Sequence, residues 1–177
     1  MPPRIVKRTN KTILLAVEGD TDFAFVTHLR DCYVARSCNV SIKIKNARGA
    51  GPLGIVDALT TGVRGKNYDY LAALFDADIP LCDRSARFFR QHSVKLFQSQ
   101  PSIEGTLLRL KQHHLQENIT TAECKRILAR DYTGESVELR FYEKHFSRGV
   151  IEAGRIQGNI LDLLINYIVN PGTSHNP

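Results

Sequence analysis

A chain of 177 residues, 42% of them apolar, is long enough for one sizeable core and short for two full domains. Its formal charge of +6 suits a polyanionic partner but says nothing of fold. No window approaches the roughly 20 apolar residues of a transmembrane helix, residues 1–10 lack the apolar centre of a secretory signal, and Cys32, Cys38, Cys82 and Cys124 lack the paired spacing of a zinc site or disulfide framework, so the expectation is a cytoplasmic protein with no membrane contact.

Residues 1–11 read as a basic arm carrying Arg4, Lys7, Arg8 and Lys11. Thr12 to Val17 is a continuous apolar run, which predicts a strand buried on both faces. Gly19 breaks it, and Asp20-Thr21-Asp22 opens a helix to about Val34 with Phe23, Val26 and Leu29 facing inward. Val40 to Lys45 alternates, Ile42 and Ile44 on one side, Lys43 and Lys45 on the other, as in a strand near a sheet edge. The turn Gly49 to Gly54 leads into a helix with core positions Leu53, Val56 and Leu59. Tyr70 to Phe75 is a second doubly buried strand, ending at Asp76.

Asp83 to His92 reads as a helix that places Arg84, Arg87 and Arg90 on one stripe, and Val94 to Phe97 as a further strand. Pro101 is expected in the first turn of a helix running to His113-His114. Beyond it only helices are expected: Thr120 to Asp131, Val137 to Phe146 and Val150 to Val169, the last with Ile151, Ile156, Ile160, Leu163, Leu164 and Ile168 as its packing face. The expected organisation is therefore an α/β domain over 12–115, a helical extension over 116–169 packed on it, and a disordered tail over 170–177.

Alternating strands and helices imply βαβ units and a mainly parallel sheet, whose functional residues gather at the carboxyl ends of the strands. Glu18 and Asp76 each follow a buried apolar strand and should meet at that edge. Together with Asp22 and Asp78 they would repel one another strongly, and a divalent cation with a taste for hard oxygen ligands relieves that repulsion. Other readings stand beside this one. Asp22 also suits the positive end of a helix dipole, as does Glu104 behind Pro101, and Asp76 with Asp78 also suits a turn.

The segments ILLAVEGDTD (13–22), the glycine turn and helix at Gly49 to Val56, YDYLAALFDAD (68–78) and QPSIEGTLL (100–108) carry a family likeness. In order and spacing they resemble the Toprim domain, and within that superfamily the RloB-like and OLD-type nucleases, over roughly residues 12–110. The resemblance implies a Toprim (Rossmann-like) three-layer fold with a helical C-terminal extension. It implies Glu18, Asp76 and Asp78 as catalytic residues, and Mg²⁺ or Mn²⁺ held by Glu18, Asp22, Asp76, Asp78 and Glu104. Some family members carry a third acid after the Asp-x-Asp; Ile79-Pro80 stands there in this chain, with Glu104 or Asp83 as the substitute.

The expected activity is metal-dependent hydrolysis of phosphodiester bonds in DNA or RNA, tRNA included, in a bacterial or phage-defence setting. Lys43, Lys45, Arg48, Arg84 and Arg87 are the candidates for nucleic-acid phosphates, with a solvated surface as their plain alternative. No Gly-x-x-x-x-Gly-Lys-Ser/Thr is present, so a partner ATPase would be a separate chain. The competing function is a non-catalytic module that binds nucleic acid or such an ATPase.

Overall fold

The computed structural model describes residues 10–34 and 39–172. Arg4, Lys7, Arg8, Cys38 and residues 173–177 of the expected tail lie outside them. Four strands, β1 (Lys11–Val17), β2 (Val40–Asn46), β3 (Tyr70–Asp76) and β4 (Lys95–Ser99), form one sheet in the order β2-β1-β3-β4, parallel throughout. The described helices are α1 (Asp20–Tyr33), α2 (Gly51–Gly62), α3 (Asp83–Gln91), α4 (Ile103–Leu110), α5 (Thr121–Asp131), α6 (Leu139–His145), α7 (Arg148–Gly154) and α8 (Ile160–Val169).

Side chains of a strand alternate between faces, so the two apolar central strands feed two cores. Leu14 and Ala16 of β1, with Ala73 and Phe75 of β3, pack against Ile55, Val56 and Leu59 of α2 and Phe89 of α3. Ile13, Leu15, Val17, Ala72 and Leu74 face the other way, onto Phe25, Val26 and Leu29 of α1. The same core takes in Leu107 of α4, Leu128 of α5, Tyr142 of α6, Ile151 of α7 and Leu164 of α8. The C-terminal helices thus complete the sheet's own core. The result is an α/β fold with helices on both faces of a parallel sheet, compatible with a Rossmann-like three-layer arrangement.

Several expectations need correction. Phe23 is 38% exposed, and the inward positions of α1 are Asp22, Phe25, Val26 and Leu29. Leu53 is exposed as well, and Ile55 takes the core position on α2. Pro101 lies before the N-cap, Ser102, so α4 begins two residues later than expected and ends at Leu110, short of His113. The last helix is two. Between α7 and α8 Gly158 takes φ +81°, and the Asn159 side chain caps a fresh start by accepting the Asp162 N–H at 2.8 Å. Ile156 falls in that link and is 68% exposed instead of packing. At the described start of the expected disordered tail, Lys11 Nζ donates to the Pro171 carbonyl at 2.8 Å and Pro171 is buried.

Candidate functional site

The site is built where β1 and β3 end. Val17 pairs with Leu74, so the residues that follow each strand emerge at one edge. The Glu18 N–H donates to the Leu74 carbonyl at 3.1 Å, and the Asp76 N–H donates to Glu18 Oε2 at 3.1 Å. Glu18 and Asp76 are therefore side by side, although 58 positions apart. On the far side of Asp76, Asp76 pairs with Ser99 of β4, and the Ile103 N–H at the start of α4 steadies the Asp76 carboxylate.

Two helix starts deliver the other acids. Asp22, in the first turn of α1, is 6% exposed, and its Oδ2 accepts the Gly19 N–H at 3.2 Å. Glu104, in the first turn of α4, is 3% exposed. Gly105 lets that turn sit close against the preceding chain: a Cβ there would stand 2.8 Å from Pro101 Cδ and 3.2 Å from the Gln100 carbonyl. Tyr142 closes the cluster from α6. Its hydroxyl donates to the Thr21 carbonyl at 3.1 Å, and burial, with Glu104 and Asp22 nearby, holds its phenol well above the ordinary range.

The electrostatics are those of acids crowded out of water. Burial raises the Asp22 carboxyl well above the usual range, reinforced by Asp76, Glu104 and Glu18. Burial, with Glu18, Glu104 and Asp78, pushes Asp76 to about 7. Asp22 Oδ1, Asp76 Oδ1 and Glu104 Oε2 are buried with no hydrogen-bond partner among the described residues, as are Ser99 Oγ and Ser102 Oγ. Buried polar atoms are nearly always paired, so three unpaired carboxylate oxygens in one mutually repelling cluster suit a cation as their partner. The Lys125 ammonium, 4.0 Å from Glu104 Oε1, is one cation that approaches the cluster, and its side chain is largely exposed.

The five expected metal ligands do not form one shell. Among the described residues no group of three His, Cys, Asp or Glu side chains could hold an ion by itself. Asp78 stands at the exposed rim and accepts the Thr121 hydroxyl at 2.9 Å. Mg²⁺ commonly takes one or two carboxylates and completes its shell with waters and substrate phosphates, which is the mode this arrangement suits. Asp83, the other expected substitute for a third acid, begins α3 and lines a groove between α2 and α3 instead.

The basic candidates divide. Arg48 and Gly49 occupy the β2–α2 loop with φ of 57° and 72°, and the Gly49 N–H donates to the Glu18 carbonyl at 2.7 Å, so this loop borders the acids directly. Lys43 and Lys45 lie on the edge strand β2, opposite in alternation to the core residue Ile44, hence on the α2 side. Arg84 and Arg87 line the groove of about 500 Å³ between α2 and α3, whereas Arg90 lines a separate cavity beside β4. The sequence reading missed Ser99, Ser102, Lys125 and Tyr142. The burial of Ser99 and Ser102 ahead of Glu104 is visible only in the fold, and neither they nor Tyr142 offered a signal in the sequence.

No helix among the described residues is long and apolar enough to cross a membrane. Compared with protein-family models, with curated proteins and with solved structures, the chain matches none.

Proposed function

We propose that the chain is a Toprim-type, RloB-like nuclease that hydrolyses phosphodiester bonds of DNA or RNA with Mg²⁺ or Mn²⁺. The observation that carries this reading is the convergence of Glu18, Asp22, Asp76 and Glu104, drawn from two strand ends and two helix starts, with unpartnered carboxylate oxygens facing no protein donor. Asp76 and Glu18 are the side chains that would hold the ion, with Asp22 and Glu104 behind them and Asp78 at the rim. The bound ion would supply charge stabilisation at the reacting phosphate and lower the pKa of an attacking water.

The chain's own residues have separate duties. Burial beside Glu18, Glu104 and Asp78 raises Asp76 to about 7, and a bound cation would offset that cost by favouring its charged, ligating form. The Asp76 N–H fixes the Glu18 carboxylate, and the Tyr142 hydroxyl fixes the start of α1, so the acids are positioned before substrate arrives. Lys43, Lys45 and Arg48 on one side, and Arg84 and Arg87 on the α2–α3 groove, supply the sequence-independent attraction for phosphates. Incubating mixed DNA and RNA substrates, tRNA among them, with Mg²⁺ and with Mn²⁺ tests the reading. Metal-dependent cleavage that disappears in Asp76→Ala supports it.

A second reading, a non-catalytic module for nucleic acid or a separate ATPase chain, is favoured by two hydrogen bonds. Asp22 Oδ2 holds the Gly19 N–H and Asp78 holds Thr121, so both acids have structural employment. Nucleic-acid binding without cleavage of any substrate, with or without a partner ATPase, would select it.

A further inference from the structure

Beside the acids, on the face away from α2 and α3, lies a cavity of about 450 Å³. Thr21 and Glu104 line it on the side of the acids; Lys125, Ala129, Tyr132, Glu135 and Ser136, from α5 and the loop that follows, are among the residues that line the remainder. Its size falls in the range of small-molecule pockets, about 300–1,000 Å³. Glu104 belongs both to this wall and to the acidic cluster. Whatever fills the cavity therefore borders a residue of the acidic cluster.

The lining suits one nucleoside. Tyr132 offers an aromatic wall that is already set: its hydroxyl is 3.1 Å from His113 Nε2, and its ring packs against His145 and Phe146 at centroid distances of 5.4 and 5.9 Å. The Lys111 ammonium lies over the same ring, 5.7 Å from its centroid, so a base would pack on the part of the ring left open to the cavity, with little loss of side-chain freedom. Glu135 and Ser136 can accept from exocyclic amines, and Lys125, at the exposed lip, can meet a phosphate. A base stacked within a duplex cannot enter a cavity of this kind without leaving the stack.

Resting on the nuclease reading, we infer that this cavity receives one unstacked nucleoside flanking the reacting phosphate. Single-stranded or looped nucleic acid is then the preferred substrate. The C-terminal helices, beyond completing the core, form the wall that selects it.

The test uses the full chain with Ca²⁺ and a fluorescent single-stranded oligonucleotide, against the same sequence in a duplex. Variants Ala129→Trp and Ser136→Trp place bulk in the cavity, and Ala129 is exposed, so its change leaves the core alone. The expected result is single-strand binding at least tenfold tighter than duplex binding, and at least tenfold weakened by either Trp. Amide shift changes in the parent protein should centre on residues 128–136. Equal binding of strand and duplex, no binding of either, shift changes elsewhere, or Trp variants that bind as the parent does would overturn the inference. Cleavage with Mg²⁺ or Mn²⁺ is scored separately. Cleavage untouched by either Trp leaves the nuclease standing without the cavity; cavity-dependent binding with no cleavage leaves the cavity without the nuclease.

Discussion

The β1–β3 pair carries an acid at each end, and the two ends treat it oppositely. At the amino end Asp69 accepts the Thr12 N–H at 2.7 Å and the Thr12 hydroxyl at 2.8 Å, while its own N–H donates back to that hydroxyl at 3.0 Å. Those hydrogen bonds hold the Asp69 carboxyl below the usual range. At the carboxyl end Asp76 is half-buried beside three other acids, keeps an unpartnered oxygen and is pushed to about 7. One acid ties two strands together. The other is held in a state that strand pairing does not require, and carboxylates perturbed by burial and like charge cluster at functional sites.

The largest effect that can break the comparison is on turnover. Asp76→Ala or Glu18→Ala should lower metal-dependent cleavage by about two to four orders of magnitude, since each removes charge-stabilising machinery. Asp69→Asn should leave the rate per folded molecule close to that of the parent. Single-turnover cleavage of one labelled substrate checks both, and equal losses at the two ends would erase the distinction.

Stability against pH comes next. Asp76 is raised in the folded chain, so between about pH 4 and pH 7 the folded state binds more protons than the unfolded state, and stability falls as pH rises through that window. Asp22 acts in the same direction. Asp69 is lowered, so its contribution is present at neutral pH and is lost only as pH falls through the acid range. Without divalent ions, Asp76→Asn should therefore raise the thermal midpoint at pH 8 and change it little at pH 4. One pK unit corresponds to about 1.4 kcal/mol, so even a third of the Asp76 shift gives a change on the order of 1 kcal/mol. Melting curves at both pH values, with Asp69→Asn as the opposing control that lowers the midpoint at pH 8, read this out.

The smallest effect concerns the basic surface. Neutralising Lys43 with Lys45, or Arg84 with Arg87, should weaken nucleic-acid binding for all sequences alike. It should also flatten the salt dependence by about one unit of slope per lost phosphate contact. Binding isotherms at several salt concentrations measure it. An unchanged slope would return those side chains to an ordinary solvated surface.

The edge itself could be read from residues. Two continuous apolar runs, each followed by an acid, put Glu18 and Asp76 at one edge of a parallel sheet, and the β1–β3 pairing brings them side by side. The depth of the site could not be read. Asp22 shares a face of α1 with Phe25, Val26 and Leu29, and Phe23, apolar and therefore read as inward, lies off that face. Glu104 enters because β4 lies next to β3 and Gly105 lets α4 start close to the chain before it, which depends on strand order and close packing. The break between α7 and α8 was hidden because Ile151, Leu164 and Ile168 are buried from two short helices at a spacing that also suits one long one.

Binding of Mn²⁺ to the acidic edge tests the central claim most directly. Electron paramagnetic resonance, in the presence of a cleavage-resistant phosphorothioate oligonucleotide, would count bound Mn²⁺ in the parent, Asp76→Asn and Asp69→Asn proteins. Saturable binding in the parent and in Asp69→Asn, weakened at least tenfold in Asp76→Asn, is the expected result. No saturable binding in the parent, or equal affinity in all three proteins, would contradict a metal-dependent site at the carboxyl end of β1 and β3.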